Sequence, residues 1–355
     1  MFVHLHGYST YSFLEAIGKP KDIVKNAKSL WYTAIWLTDL NVMYGAFQHY
    51  MAGKDEGIKP IVGVEIGFAL DANNVANLKS VGSITLLAMS TEWYHNLLQL
   101  VTYASQTWIE FRPKVDMKAL TENKIWILAF SWGVESRISK MILNWEPLSK
   151  IQEIIGMLKN TLWAENFYLE IIAQDEQEHP DIAKINKTIL ELAELTQTPC
   201  IISNIYAYPR PTDKINQELA MAIKDNLKLF DPNHRVPTTE NHLMSEEEIR
   251  SIALKNGYAP QQVEERIQNT GSIADRVDFK IEMGTSQSMM VKKSLKSSTK
   301  PGRKKWFLMS KNYNIPFPEN KKQKPDFFCI CLVVWWSSIF PSIENKGLKP
   351  TLTCK

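Results

Sequence analysis

The sequence predicts an α/β fold, and three observations carry that prediction. Short apolar runs of strand length recur along the first 210 residues, and segments with apolar residues three and four apart separate most of them. The composition, 45% hydrophobic and 22% charged over 355 residues, belongs to a folded chain long enough to bury a full core. The predicted strands are residues 2–6, 33–37, 60–68, 84–89, 125–130, 167–172 and 200–204. Helical periodicity covers 22–30, 45–54, 94–104, 151–159 and 182–195, and a further helical segment covers 213–224. After a loop at Asp231-Pro232-Asn233, Ser245 and Glu248 form a capping-box pattern ahead of an apolar-periodic stretch, and a last helix is expected over 260–277. Alternating strands and helices imply a parallel sheet covered by helices. Seven such units fit either an open doubly wound sheet or a closed barrel, and both place chemistry at the carboxyl ends of strands.

Composition excludes several classes. The chain is neither disordered, collagenous nor a disulfide scaffold, since four cysteines (Cys200, Cys329, Cys331, Cys354) are too few and lack zinc-ligand spacing. The N-terminus shows no secretory signal, and the longest apolar run, 327–336, is about half of a membrane span. A cytoplasmic protein without membrane contact is therefore expected. Formal charge is +3, but it is unevenly spread: residues 1–291 are net acidic, whereas 292–355 carry 14 basic and 3 acidic side chains. Residues 292–324 read as a basic linker or arm. Such an arm suits either nucleic-acid phosphates or plain solvation.

Candidate chemistry begins at His4-Leu5-His6, where two imidazoles alternate along a predicted strand and share a face, a spacing that suits a metal ion or two strand-end hydrogen bonds. Thr38-Asp39 closes the second predicted strand and Glu65 lies near the end of the third. An acid there is costly to bury unpaired, so metal ligand, cap and ion pair are all open. His49, His95, His179, His234 and His242 are scattered singly and read as surface or cap residues. There is no phosphate-binding loop motif and no nucleophile elbow.

The segments FVHLHGYSTYS, LTDLNVMYGAFQHY and GIKPIVGVEIG, followed by NLLQLVTYAS, ENFYLEI, IISNIYAYP, FDPNHR and SEEEI, resemble the N-terminal PHP (polymerase and histidinol phosphatase) domain of bacterial DNA polymerase III alpha subunits. The resemblance covers about 280 residues in the family's order and implies a distorted barrel of seven strand-helix units. It divides the chain into a PHP barrel over 1–210, a helical segment over 211–282 leading toward a palm domain, and a basic, disordered or foreign tail over 283–355. Of the metal-ligand positions it implies, His6, Asp39 and Glu65 are kept. The others are Tyr8, Leu40, Gln174, Ile205 and Ala207, which leaves too few ligands for a robust metal-dependent hydrolase.

The expected role is thus a structural platform within a DNA-replicating nucleotidyltransferase, with no catalytic residue in this chain and the palm lying elsewhere. Magnesium would serve the full-length polymerase, and zinc or manganese would matter only if the PHP site were active. DNA and other replisome subunits would be partners through that larger protein. The alternatives are a free-standing PHP phosphoesterase or 3′–5′ exonuclease, and a DNA-binding module acting through the basic tail.

One compositional feature stands apart. A chain of this length should hold about 25 glycines at ordinary usage, yet it holds 15, alongside 11 tryptophans. Trp31 and Trp145 follow predicted helices where a glycine is expected. Trp36, Trp93, Trp108, Trp132 and Trp163 fall where the resembled family has glycine. The set reads as glycine codons translated as tryptophan.

Overall fold

In the computed structural model, residues 1–71, 81–106, 113–122, 127–131, 133–237 and 239–281 are described. The predicted tail over 283–355, with the whole basic segment 292–324, and Trp108, Trp126, Trp132, Trp306, Trp335 and Trp336 lie outside them. Seven strands occur among the described residues: β1 Ala34–Leu37, β2 Lys59–Phe68, β3 Gly82–Ala88, β4 Lys114–Val115, β5 Ile127–Ser131, β6 Phe167–Ile172 and β7 Cys200–Ser203. They form one curled sheet in the order β1-β2-β3-β5-β6-β7, with the two-residue β4 beside the end of β2.

Among the described residues ten α-helices pack around the sheet: α1 Pro20–Ser29, α2 Ala46–Glu56, α3 Thr91–Gln106, α4 Met117–Glu122, α5 Arg137–Leu143, α6 Leu148–Leu162, α7 Pro180–Thr196, α8 Lys214–Lys224, α9 Glu246–Lys255 and α10 Pro260–Asp275. Their starts follow local chemistry. Pro20, Pro180 and Pro260 occupy first-turn positions where no amide donor is needed. At α9 the predicted capping box is formed, Ser245 accepting from the Glu248 amide while the Glu248 carboxylate accepts from the Ser245 amide. In α7, Ile182, Ile185, Ile189 and Leu192 turn inward at helical spacing. Strands β1 and β3 are buried along their whole length; β1, Ala34-Ile35-Trp36-Leu37, is accordingly a continuous apolar run, whereas β3 also buries Ser83 and Thr85.

Two expectations are corrected. The sheet is not wholly parallel: β3 runs antiparallel to both β2 and β5, whereas β1–β2, β5–β6 and β6–β7 are parallel. No helical period separates 60–68 from 84–89 in the sequence, and a parallel pair would need such a crossover. The first predicted strand, 2–6, enters no ladder. Its amides are taken by side chains, Phe2 N donating to Glu246 Oε2 at 2.6 Å and Val3 N to Thr270 Oγ1 at 2.9 Å. The same segment nonetheless spans the gap between the sheet's two edges. Thr38 N, just past β1, donates to Gly7 O at 2.8 Å, and Tyr8 N donates to Tyr206 O, just past β7, at 2.8 Å. A side chain at Gly7 would overlap the Tyr206 ring, so glycine allows this crossing.

One apolar core runs through the barrel, including Phe2, Leu5, Ile35, Val64, Leu86, Phe130, Leu169 and Ile201. Trp36 fills its centre and packs against Phe130. No helix among the described residues is long and apolar enough to cross a membrane.

Candidate functional site

Glu65 sits on β2 and is buried, which for a carboxylate requires partners. Two residues of the N-terminal segment supply them. His6 Nε2 lies 2.9 Å from Glu65 Oε2, and the Tyr8 hydroxyl donates to the same oxygen. The His6 ring meets the Tyr8 ring edge-on with centroids 5.3 Å apart. Burial is the largest influence on Glu65 and pushes its carboxyl up, but the hydrogen bonds from His6 and Tyr8 and the His6 charge together outweigh it and hold Glu65 below the usual range. Burial lowers His6 against the pull of Glu65. The two groups are thus both held below their ordinary values, His6 by burial and Glu65 by the neighbours that face it.

Asp39 is engaged differently. Its Oδ1 accepts from Ser9 N at 2.7 Å and from Ser12 Oγ at 2.8 Å, and its Oδ2 accepts from Ser9 Oγ at 2.8 Å. Burial dominates here and raises its carboxyl despite those donors. Asp39 thus pins the Ser9–Ser12 turn onto the end of β1. The structure brings His6 and Glu65 together but leaves Asp39 in a separate network, and among the described residues no group of three or more His, Cys, Asp or Glu side chains could hold a metal ion.

The shared face of His4 and His6 does not become a shared site. His4 Nε2 contacts Met244 O at 2.8 Å and Nδ1 contacts Asn204 O at 3.3 Å, and burial lowers His4 to about 4. His49, expected at the surface, is instead fully buried on α2, with Nε2 3.0 Å from Ile35 O, and burial lowers it to about 4 as well. It ties α2 to β1 and marks an interior contact that single-residue reading did not find. His242 is also mostly buried, 3.1 Å from Glu248. His95 is exposed, His179 caps α7, and His234 pairs with Glu218 at 2.6 Å.

A cavity of about 160 Å³ opens beside Glu65, lined by Tyr8, Gln174, Asn204, Ile205 and Glu135 among others. Gln174 is locked within this wall, its amide donating to Asn204 Oδ1 and Glu240 O at 2.7 Å each, while its Oε1 accepts from Glu240 N at 3.1 Å. A hydroxyl, an amide and an aliphatic chain therefore occupy the mouth of the site.

Sequence reading passed over Glu170, although an acid inside the apolar run FYLEII was a visible signal. Glu170 is buried on β6 and takes a hydrogen bond from the Ser203 hydroxyl on β7. Burial, reinforced by the nearby Glu65 charge, pushes its carboxyl well above the usual range. Two buried carboxyls are thus shifted in opposite directions, Glu65 down and Glu170 up. These residues do not fit a hydrolytic metal centre: Glu65 Oε2 already accepts from the Tyr8 hydroxyl and lies 2.9 Å from His6 Nε2, and Tyr8, Gln174 and Ile205 stand around it in place of further acidic or imidazole ligands.

Comparison with known proteins adds the family context. The sequence profile of the PHP domain matches residues 4–174. The DNA polymerase III subunit alpha of Borreliella burgdorferi is 28% identical over 288 residues, covering 79% of this chain and 24% of that protein. The Escherichia coli DNA polymerase III subunit alpha is 27% identical over 285 residues, covering 80% of this chain and 23% of that protein. The chain spans about a quarter of the length of these two curated relatives. Among solved structures, a two-domain protein from Bacteroides vulgatus containing a predicted PHP-like metal-dependent phosphoesterase aligns with a TM-score of 0.37 and 15% identity, over 72% of this chain and 62% of that one.

Proposed function

We propose that this chain, whose residues 4–174 match the PHP domain family, serves as the non-hydrolytic, structural PHP portion of a bacterial replicative DNA polymerase III alpha subunit. One observation carries the reading: the retained acid of the site, Glu65, accepts from the Tyr8 hydroxyl and lies 2.9 Å from the retained His6 rather than standing open to a metal. Hydrolysis of a phosphoester by a metal centre needs ligands that activate water and neutralise developing charge. Here those lone pairs are occupied, and Leu40, Ile205 and Ala207 offer none.

The platform role is supported by α8. Ile215, Leu219 and Ile223 recur at i, i+4 and i+8 as an exposed apolar stripe, and Phe230 just beyond the helix is 94% exposed. In this reading the stripe meets other parts of a polymerase, the magnesium that drives nucleotide addition belongs to a palm domain, and contacts with DNA and replisome subunits are made by the larger cytoplasmic assembly.

The test is direct. The purified chain is assayed for phosphate release from p-nitrophenyl phosphate and for nucleotide release from 3′-labelled single-stranded DNA, with manganese or zinc. No release above a protein-free control is expected. Release that disappears in His6→Ala and Glu65→Ala would overturn the proposal in favour of a metal-dependent phosphoesterase. Primer extension by this chain alone would overturn it in the other direction.

A further inference from the structure

Seven non-glycine residues among those described have positive φ, and three of them are tryptophans: Trp31 at φ 64°, Trp145 at φ 57° and Trp163 at φ 68°. Only five tryptophans are described at all (Trp31, Trp36, Trp93, Trp145 and Trp163). A bulky side chain in this region collides with its own carbonyl, so the left-handed conformation is ordinarily left to glycine and, less often, to asparagine. A majority of one bulky residue type there calls for a cause.

The helix ends supply it. After α1, Trp31 N donates to Lys28 O at 3.0 Å and Tyr32 N to Ala27 O at 3.0 Å. After α5, Trp145 N donates to Ile142 O at 3.1 Å and Glu146 N to Met141 O at 3.0 Å. The same pair of bonds ends α2 at Gly57, with φ 71°, and α9 at Gly257, with φ 89°. All four are the paired closing bonds of a left-handed helix stop, whose preferred residue is glycine. Trp31 and Trp145 stand in the positions that Gly57 and Gly257 fill, and packing does not hold them there, since they are 90% and 82% exposed. The one ring contact shown for them is Lys184 Nζ over the Trp145 ring, 3.2 Å from its centroid.

Trp163, between α6 and the turn Ala164–Asn166, is more demanding. Its ψ of 138° lies outside the small left-handed well that asparagine tolerates and near backbone space that is almost exclusively glycine's. Trp36 adds a different anomaly: its indole N–H is buried in the barrel centre with no acceptor.

We infer that the protein as made in its source carries glycine at positions 31, 145 and 163, and that one codon translated here as tryptophan is decoded there as glycine. The inference is independent of the functional reading, because none of His6, Asp39 or Glu65 is a tryptophan. It adds to the glycine deficit a backbone requirement at three named positions.

The decisive measurement is the mass of the peptides spanning positions 31, 145 and 163 in the protein isolated from its source. Glycine masses at all three are expected, and a tryptophan mass at any of them overturns the inference. The coding DNA gives an independent reading: UGA at the three positions is expected, and UGG at any of them overturns it. In recombinant protein, Trp31→Gly, Trp145→Gly and Trp163→Gly combined should raise Tm by several degrees, and an unchanged or lower Tm would count against the backbone argument.

Discussion

Glu65 keeps its charge inside the barrel because its donors face it. Tyr8 is the donor most cleanly removed: Tyr8→Phe deletes one hydroxyl and leaves the ring packed against His6. Leaving a buried carboxylate one hydrogen bond short costs about 1–3 kcal/mol, so the variant should lose that much unfolding free energy, read as a lower urea midpoint with an unchanged m-value. An unaltered midpoint would mean that Tyr8 does not hold Glu65. At this scale the sequence was partly legible. His6 could be singled out as a strand-borne imidazole and Glu65 as an acid costly to bury alone, and they do meet. Asp39 could not be assigned, because its partners Ser9 and Ser12 are ordinary serines whose role depends on how a turn folds back onto β1. Glu170 was visible as an acid in an apolar strand, but its upward shift depends on burial and on the Glu65 charge from another strand, against the hydrogen bond from Ser203.

At the scale of elements, legibility followed length and period. Long helices such as α7 and α10 and strands such as β2 announce themselves by repetition, whereas α4 and the two-residue β4 are too short to show a period and were not anticipated, and of α5 only the end ahead of Trp145 was legible. The strand at 2–6 had the right composition, but backbone pairing is decided by neighbours, and here Glu246 and Thr270 from α9 and α10 took the amides. The α9 cap was readable because its chemistry is local. Ser245→Ala should therefore cost about 1 kcal/mol, the usual value for an N-cap hydroxyl, measured by thermal or urea unfolding, and Glu248→Ala should be non-additive with it because the two bonds form one reciprocal unit. On α8, Leu219→Glu should leave stability within about 0.5 kcal/mol, since the side chain is exposed. It should also weaken association with the remainder of an alpha subunit supplied as a separate polypeptide, measured by titration. Unchanged association would remove α8 from the proposed platform surface.

The whole molecule combines buried groups whose proton affinities move in opposite directions, and this gives two variants opposite dependences on pH. His49 has a folded value of about 4 against 6.5 when exposed. Between those values the unfolded chain binds the proton and the folded chain does not, so His49 opposes folding increasingly as pH falls from about 6.5 toward 4. Replacing it by glutamine, which can still donate to Ile35 O, removes that dependence. The stability difference between parent and His49→Gln should therefore shift in favour of the variant by about 2 kcal/mol between pH 7 and pH 5. Glu170 runs the other way. Its folded value lies well above that of the unfolded chain, so above about pH 4.3 the folded state must take up a proton that the unfolded state lacks. Its contribution is fully present below that pH and is lost as pH rises toward the folded value. Glu170→Gln keeps a neutral group beside Ser203, and its stability relative to the parent should rise by about 1.4 kcal/mol per pH unit above that point until the folded value is reached. Urea midpoints at several pH values between 4.5 and 8 measure both. The two difference curves should slope in opposite directions. A flat His49→Gln curve would mean that the histidine is charged or solvated in the native state, and a flat Glu170→Gln curve would mean that Glu170 is ionised beside Glu65.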